Sequence, residues 1–535
     1  MWQQTGQSRA LAGCYILRLY RKNLALTPLG LNRMNNMKPA WTSLVAGAPL
    51  AWVPAVVATP PYVSSEALQS KITTEGLMEN LANLDRIATE NNGNRAFGLP
   101  GYAASVDFVK SRLAAFNSTS TSWAQDFPAL FNRVESIAFR VDNTSYYVYG
   151  LTYSPSTTPE GVTKPLVLGP TGDAGCTVEG YADYDVADKI VLVERGTCPT
   201  GGTLAGRIRP AAAAGASNVI IYNNVPTKVT GGTLSAPDPA TLVSSGFINQ
   251  ADGWALRDRL LAGEALTAHF QQTQTIETQT TQNVFAETAG GDAGSVIMLG
   301  AHLDSVQAGA GVNDDGSGTS LLLEVFAALQ AFRVRSKVRF AWWGAEENGL
   351  VGSRYYTSAI ANGSDADSLL LYLNFDMVSR GYFGVFDGDG STHGLAGAPG
   401  SDVIEKLFVD HLAGQGLNVT PAVFTGGSDY ASFMSTLGKP VGGLHTGTGV
   451  EQDPCYHQEC DTYDNANATV LTINAKAAAH VLATLAMNGT ELIPKTPSNA
   501  TASLNRRFFT SESLDSFPWT ELEGERHLAT CGHDV

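Results

Sequence analysis

Ser295-Val296-Ile297-Met298-Leu299-Gly300-Ala301-His302-Leu303-Asp304 sets four large apolar side chains in a row and then closes on a histidine and an aspartate. A short unbroken apolar run is the pattern of a strand covered on both faces. Runs at 338–343 and 369–375 repeat it, and helical periodicity lies between them, as at 321–329. Over residues 274–493 this alternation predicts an α/β domain, a doubly wound, mainly parallel sheet with helices on both faces. Such sheets collect ligands at the carboxyl ends of their strands.

Those ends carry metal-ligand residue types. His302 follows the first run, and Asp304, two residues on, shares its face along an extended segment and can orient the imidazole. Asn313-Asp314-Asp315-Gly316-Ser317-Gly318 is a turn able to bring a carboxylate close to a cation. Glu346 and Glu347 directly follow the run that ends Trp342-Trp343. Of two adjacent carboxylates there, one suits a metal and the other suits a proton taken from water. Asp376 closes the third run, where a buried charge needs a partner or a cation. Asp453-Pro454-Cys455-Tyr456-His457-Gln458-Glu459-Cys460-Asp461 places Tyr456 and His457 between two cysteines. Gly318-Thr319-Ser320 mimics part of a serine-nucleophile motif, but Leu321-Leu322 follows where small residues belong. Five His and carboxylate ligands suit two zinc ions about 3.5–4 Å apart that share one carboxylate.

Outward from this core, residues 65–116 read as helices broken by the turn Gly98-Leu99-Pro100-Gly101, and 123–127 as a strand. Residues 59–128 thus form a first part of the same domain. Between 129 and 273 short β-type runs at 189–193 and 218–224 flank an Ala-rich helix at 209–214. The phrases Ala187-Asp188-Lys189-Ile190-Val191-Leu192-Val193-Glu194-Arg195-Gly196-Thr197-Cys198 and Ala214-Gly215-Ala216 resemble the protease-associated domain, a small β-rich insertion. This region holds no cluster of His and carboxylates and is expected to do no chemistry.

The first acidic residue is Glu66. Met37-Lys38, an apolar run from 41 to 57 and small residues at its end read as a secretory signal peptide within residues 1–58. Residues 1–33, Arg-rich and containing Cys14, read as upstream of the true start codon, with a transit-like segment as the alternative. No later segment reads as apolar for long enough to span a bilayer. Seven Asn-x-Ser/Thr sequons, at Asn117, Asn143, Asn362, Asn418, Asn467, Asn488 and Asn499, fit export and glycosylation. Cys176 with Cys198, and Cys455 with Cys460, read as disulfides of an oxidising compartment, while Cys531 in the tail 494–535 has no evident partner. A net charge of −16 argues against a nucleic-acid partner, which needs clustered Lys and Arg.

Gly300-Ala301-His302-Leu303-Asp304-Ser305-Val306, Asn313-Asp314-Asp315-Gly316-Ser317-Gly318, Gly344-Ala345-Glu346-Glu347 and Asp453-Pro454-Cys455-Tyr456-His457 resemble the co-catalytic two-zinc aminopeptidases. That family includes secreted bacterial leucine aminopeptidases and fungal vacuolar ones with a protease-associated insertion, and the likeness spans residues 70–490. It implies a zinc-exopeptidase fold and peptide substrates with free N-termini. Asp314 then bridges two Zn²⁺, His302 and Asp376 complete one, and Glu347 and His457 the other. Glu346 becomes the general base, Tyr456 a hydrogen-bond donor to the tetrahedral intermediate, and Cys455–Cys460 a disulfide. Gly427 stands where many relatives have an Arg that positions the substrate terminus, and His445 replaces a more usual aromatic and is read as packing, with a pocket residue as the alternative. The rival readings are a carboxypeptidase or dipeptidase, a one-zinc glutaminyl-cyclase-like transferase, and an inactive binding protein. The expected location is outside the cell, with the vacuole lumen as the alternative.

Overall fold

The computed structural model describes residues 59–199 and 202–495, and its strands join in a single mixed sheet. The expected leader, Cys14, Cys531, Asn499 and the tail from 496 lie outside the described residues. In chain order the strands are β1 (Ser120–Val141), β2 (Thr144–Tyr146), β3 (Tyr149–Gly150), β4 (Val162–Leu168), β5 (Ile190–Glu194), β6 (Asn218–Tyr222) and β7 (Ser245–Ile248). Then follow β8 (Leu266–Thr288), β9 (Asp292–His302), β10 (Ser336–Trp343), β11 (Leu369–Phe375), β12 (Phe383–Phe386), β13 (Val419–Ala422) and β14 (Val441–Leu444). Their spatial order is β13-β12-β14-β11-β9-β10-β8-β4-β5-β6-β7-β3, with β1 on β8 and β2 on β1.

The opening stretch is β9, central in a parallel set with β10 on one side and β11 then β14 on the other. Alternate side chains of β9 feed two cores. Ile297, Leu299 and Ala301 pack with the helices Thr74–Glu90, Ser317–Leu329 and Ala468–Leu492. Val296 and Met298 pack on the other face with Trp343, Tyr356, Tyr372 and Phe433. Burying one such side chain is worth roughly 1.5–3 kcal/mol, so a continuous apolar run is what this position requires. Gly300 interrupts the run for a steric reason. Trp343 Nε1 donates to Tyr372 Oη (2.9 Å) across it, and a Cβ at Gly300 would lie 2.2 Å from that hydroxyl.

A second parallel set, β4-β5-β6-β7, occupies the inserted region. β8 joins the two sets: its start pairs antiparallel with β4 and its end antiparallel with β10. β1 runs antiparallel along almost the whole of β8, so positions 128/129 and 273/274 both lie inside one long ribbon. The Ala-rich helix of this region is Ala205–Ala213, starting earlier than its alanines alone imply. Leu204, Ile208 and Ala211 supply the buried helical face, and the polar Arg207 is buried beside them.

One expectation needs correcting. The helix Ala468–Leu492 is long and apolar enough by composition to cross a membrane. Its alanines and leucines are instead packed in the main core, where small side chains let it lie close to the helices around it and to β9 and β10.

Candidate metal centre

Each strand of the β9–β11 set ends by delivering a polar side chain to one place. His302 is the last residue of β9, Glu346 and Glu347 lie in the loop after β10, and Asp376 follows β11. Asp314 comes from the turn between β9 and the helix Ser317–Leu329, and His457 from the loop after β14. His302, Asp314, Glu346, Asp376 and His457 are buried, and the side chain of Glu347 is only 5% exposed.

Asp314 stands between the two imidazoles. Its Oδ1 is 3.1 Å from His302 Nε2, and its Oδ2 is 3.1 Å from His457 Nε2. Asp376 Oδ1 lies 3.7 Å from His302 Nε2, and Glu347 Oε2 lies 3.2 Å from His457 Nε2. Glu346 has a carboxylate oxygen within 4.8 Å of donor atoms of both His302 and Asp376. Despite this crowding, Glu346 Oε1, both Glu347 oxygens, Asp376 Oδ1 and His457 Nε2 have no hydrogen-bond partner. Buried polar atoms are normally paired, and unpaired ones cost about 1–3 kcal/mol each or more when charged. Imidazole nitrogens and carboxylate oxygens converging on one buried place are the donor set of a zinc site. The residues therefore fit zinc.

A second layer holds these groups. His302 Nδ1 donates to the main-chain oxygen of Asp304 (3.1 Å), which turns Nε2 towards Asp314. The Asp304 carboxylate, at 3.8 Å from that ring, accepts instead from the backbone N–H groups of Glu346 (3.1 Å) and Glu347 (3.3 Å). Asp304 thus aims the glutamate loop with its side chain and the imidazole with its backbone. Burial, with the Glu347 charge adding to it and His302 opposing, raises its carboxyl to about 6. Asp315 accepts from the backbone N–H groups of His302 (3.1 Å), Gly318 (2.8 Å) and Met377 (3.1 Å). Asp461 accepts from the N–H groups of Asn313 (2.9 Å) and Asp314 (3.1 Å), and Asp453 from Asn313 Nδ2 (2.8 Å). These bonds tie the Asp314 turn to the His457 loop.

Both pairs of cysteines form disulfides, Cys176–Cys198 and Cys455–Cys460. The second closes the loop in which Tyr456 stacks on the His457 ring, with centroids 3.9 Å apart. Asp376 is held by Ser428 Oγ, which donates to its Oδ2 (2.6 Å), one residue beyond Gly427. Gly427 offers only backbone, its N–H donating to Thr425 Oγ1 (3.1 Å). His445 is partly exposed; its ring stacks on Phe386 and its Nδ1 donates to the Asp376 carbonyl (2.9 Å).

Burial raises the Glu346 carboxyl well above its ordinary range, with Asp429, Glu347 and Asp376 adding to the shift and His302 opposing it. Asp429, which sequence reading passed over, is buried and raised to about 7 by desolvation, with Asp376 and Asp304 adding to it and His302 opposing. For His457 burial works downward, but Glu347 and Asp314 overcome it and lift the imidazole to about 10.

Fold and site together define a metal-dependent α/β hydrolase. Residues 283–482 match Peptidase family M28, and residues 162–256 match the PA domain. Leucine aminopeptidase 2 of Arthroderma otae is 36% identical over 457 residues, covering 82% of this chain and 89% of the relative. The probable lipoprotein aminopeptidase LpqL of Mycobacterium tuberculosis is 36% identical over 445 residues, covering 78% and 85%. Among solved structures, the aminopeptidase from Aneurinibacillus sp. strain AM-1 has a TM-score of 0.66 at 26% identity, covering 79% of this chain and 96% of its own. The zinc aminopeptidase BSAP of Bacillus subtilis, at 21% identity and a TM-score of 0.61, shares the fold. The chain belongs to Peptidase family M28 and carries a PA domain; it is an enzyme of the metallo-aminopeptidase type.

Proposed function

We propose that this chain releases N-terminal residues from peptides using two zinc ions that share Asp314. His302 and Asp376 would complete one ion's ligands, and Glu347 and His457 the other's. The observation that carries this reading is Asp314 itself, whose two oxygens face different imidazoles at the same 3.1 Å. When bound, the ions supply Lewis acidity and lower the pKa of water. Glu346, its carboxyl raised by burial, takes the proton of the attacking water and returns it to the departing amine. Tyr456, held by the short disulfide loop, donates its O–H to the oxygen that gains charge in the transition state.

The excess of buried carboxylates favours a substrate that presents an ammonium group. A carboxypeptidase would need a free cation near the centre. Arg95, the buried Arg beside it, spends its described hydrogen bonds on main-chain carbonyls, and Gly427 brings no charge. Two disulfides support export from the cell, in line with the leader and sequons read from the sequence.

The test compares leucyl and lysyl amides bearing a free amino group with N-blocked peptides, before chelation, after it, and after zinc is restored. Hydrolysis confined to free amines, lost on chelation and recovered with zinc, is expected. Chelator-resistant turnover or a preference for blocked substrates rejects the reading.

A further inference from the structure

Between the helices Thr74–Glu90 and Pro100–Ala114, the loop Asn94-Arg95-Ala96 enters the peptidase core. Arg95 is fully buried and lies within electrostatic reach of Asp304, Asp315, Asp461 and Asp314. Its described side-chain hydrogen bonds all go to main-chain carbonyls. Nε donates to Ala310 O (2.9 Å), Nη2 to Gly311 O (2.6 Å), and Nη1 to Leu303 O. Its backbone N–H donates to Ser305 Oγ (2.9 Å), and that hydroxyl contacts Gly309 O (3.0 Å). The three clamped carbonyls belong to the segment that begins one residue after His302 and ends three before Asp314.

Most of that segment lies outside ladder and helix, so its buried carbonyls call on side-chain donors, of which Arg95 supplies three bonds. A planar guanidinium can hold several acceptors at set distances, which an ammonium on a flexible stem cannot. The clamp is tight at its far end. Gly311 has a left-handed φ of 61°, and a Cβ there would meet Asp314 O at 2.3 Å and Arg95 Nη2 at 3.3 Å. Gly311 O also accepts from the N–H of Gly316 (3.0 Å), closing the turn that presents Asp314.

We propose that Arg95 is a positioning residue of the metal centre, setting the separation of His302 and Asp314 by clamping the loop between them. The inference rests on the two-zinc reading above. It makes the segment ahead of the inserted region part of the active site, although that segment contributes no ligand.

The test measures zinc content and zinc affinity, by competition with a chelator of known affinity, in the full chain and in Arg95→Lys, alongside thermal unfolding and the kinetics of leucyl amide hydrolysis. Lysine keeps the charge and loses the fork. We expect a folded variant whose zinc affinity falls by about 10–100-fold, as for other groups that orient metal ligands, with kcat lowered and KM little changed. A folded Arg95→Lys with wild-type zinc affinity, whatever its melting temperature, overturns the proposal. If Arg95→Lys does not fold, Ser305→Ala decides, since it frees the Arg95 backbone and leaves the guanidinium in place. A severalfold loss of zinc affinity there supports the clamp, and unchanged affinity overturns it. Wild-type protein that holds no zinc would instead reject the reading beneath.

Discussion

The β4–β7 set and the β9–β11 set are built by one rule, and only one of them makes a metal centre. In both, parallel strands of aliphatic and aromatic residues are buried and a loop begins where each strand ends. In the inserted set β5 ends on the half-buried Glu194, while β6 and β7 are followed by amides that satisfy the loop after β6. Asn223 Nδ2 donates to Thr227 O (3.2 Å), and Asn249 Oδ1 accepts from Val229 N–H (2.9 Å). In the peptidase set the ends carry carboxylates and imidazoles that do not satisfy one another. Among the described residues, the buried carboxylate oxygens without a hydrogen bond belong to Glu346, Glu347, Asp376 and Asp429, all in the peptidase region. The fold supplies a place where loops converge, and an unmet electrostatic demand at that place is what calls for a cation.

The comparison breaks most visibly if that demand is altered. Replacing Asp314 by Asn removes the shared charge and is expected to cost zinc together with ~10³-fold or more of kcat/KM, several kcal/mol of transition-state stabilisation. Metal analysis and leucyl amide turnover check both. Retention of both ions by Asp314→Asn would mean that Asp314 is not shared. Glu346→Gln should separate chemistry from binding: kcat falls by about 10²–10⁴-fold while zinc content stays as in the wild type. Loss of zinc from that variant would move Glu346 into the ligand set, where its closeness to His302 and Asp376 makes the question a real one.

The strand-end residues were legible because chemistry and periodicity coincide there: an apolar run that stops on Asp or Glu has no ordinary reason to do so. Arg95 was not. It sits in Asn91-Asn92-Gly93-Asn94-Arg95, which reads as a polar surface turn, and its acceptors are carbonyls more than 200 residues away. A bond to a main-chain oxygen leaves no mark on the acceptor's side chain. Asp429 was hidden for a related reason, since a lone Asp before the helix Tyr430–Leu437 looks like a cap. The β1–β8 ribbon was only partly legible. Residues 271–283 are dominated by Gln and Thr, without the apolar alternation that marks a half-buried strand, and the partner strand supplies the order. The parallel sets, by contrast, advertise themselves through burial on both faces.

The two disulfides sharpen the contrast by a smaller margin. Cys176–Cys198 spans 22 residues in the inserted region and Cys455–Cys460 spans five beside His457. Loop entropy gives ~3 kcal/mol for the first and ~2 kcal/mol for the second. Replacing Cys176 and Cys198 together by Ser should lower stability by about that amount and leave kcat unchanged below the unfolding transition. The same change at Cys455 and Cys460 should reduce kcat and zinc affinity as well, because the loop that holds Tyr456 and His457 is released. Equal kinetic effects from the two double variants would erase the distinction between a structural and a chemical region.

The smallest expected effect comes from a pair of histidines away from the strand ends. His411 and His480 stack with ring centroids 4.1 Å apart, on the helices Ser401–Gly414 and Ala468–Leu492. Burial, helped by the neighbouring ring, lowers the His411 imidazole from 6.5 to about 4. The unfolded chain therefore binds a proton at His411 at a higher pH than the folded one does. Its contribution to stability is complete above about pH 6.5, falls as the pH drops towards 4, and is then constant. Between pH 7 and 4 the melting temperature of the wild type should fall further than that of His411→Gln, because only the wild type suffers this penalty. Parallel curves would place the acid sensitivity elsewhere and remove His411 from the account.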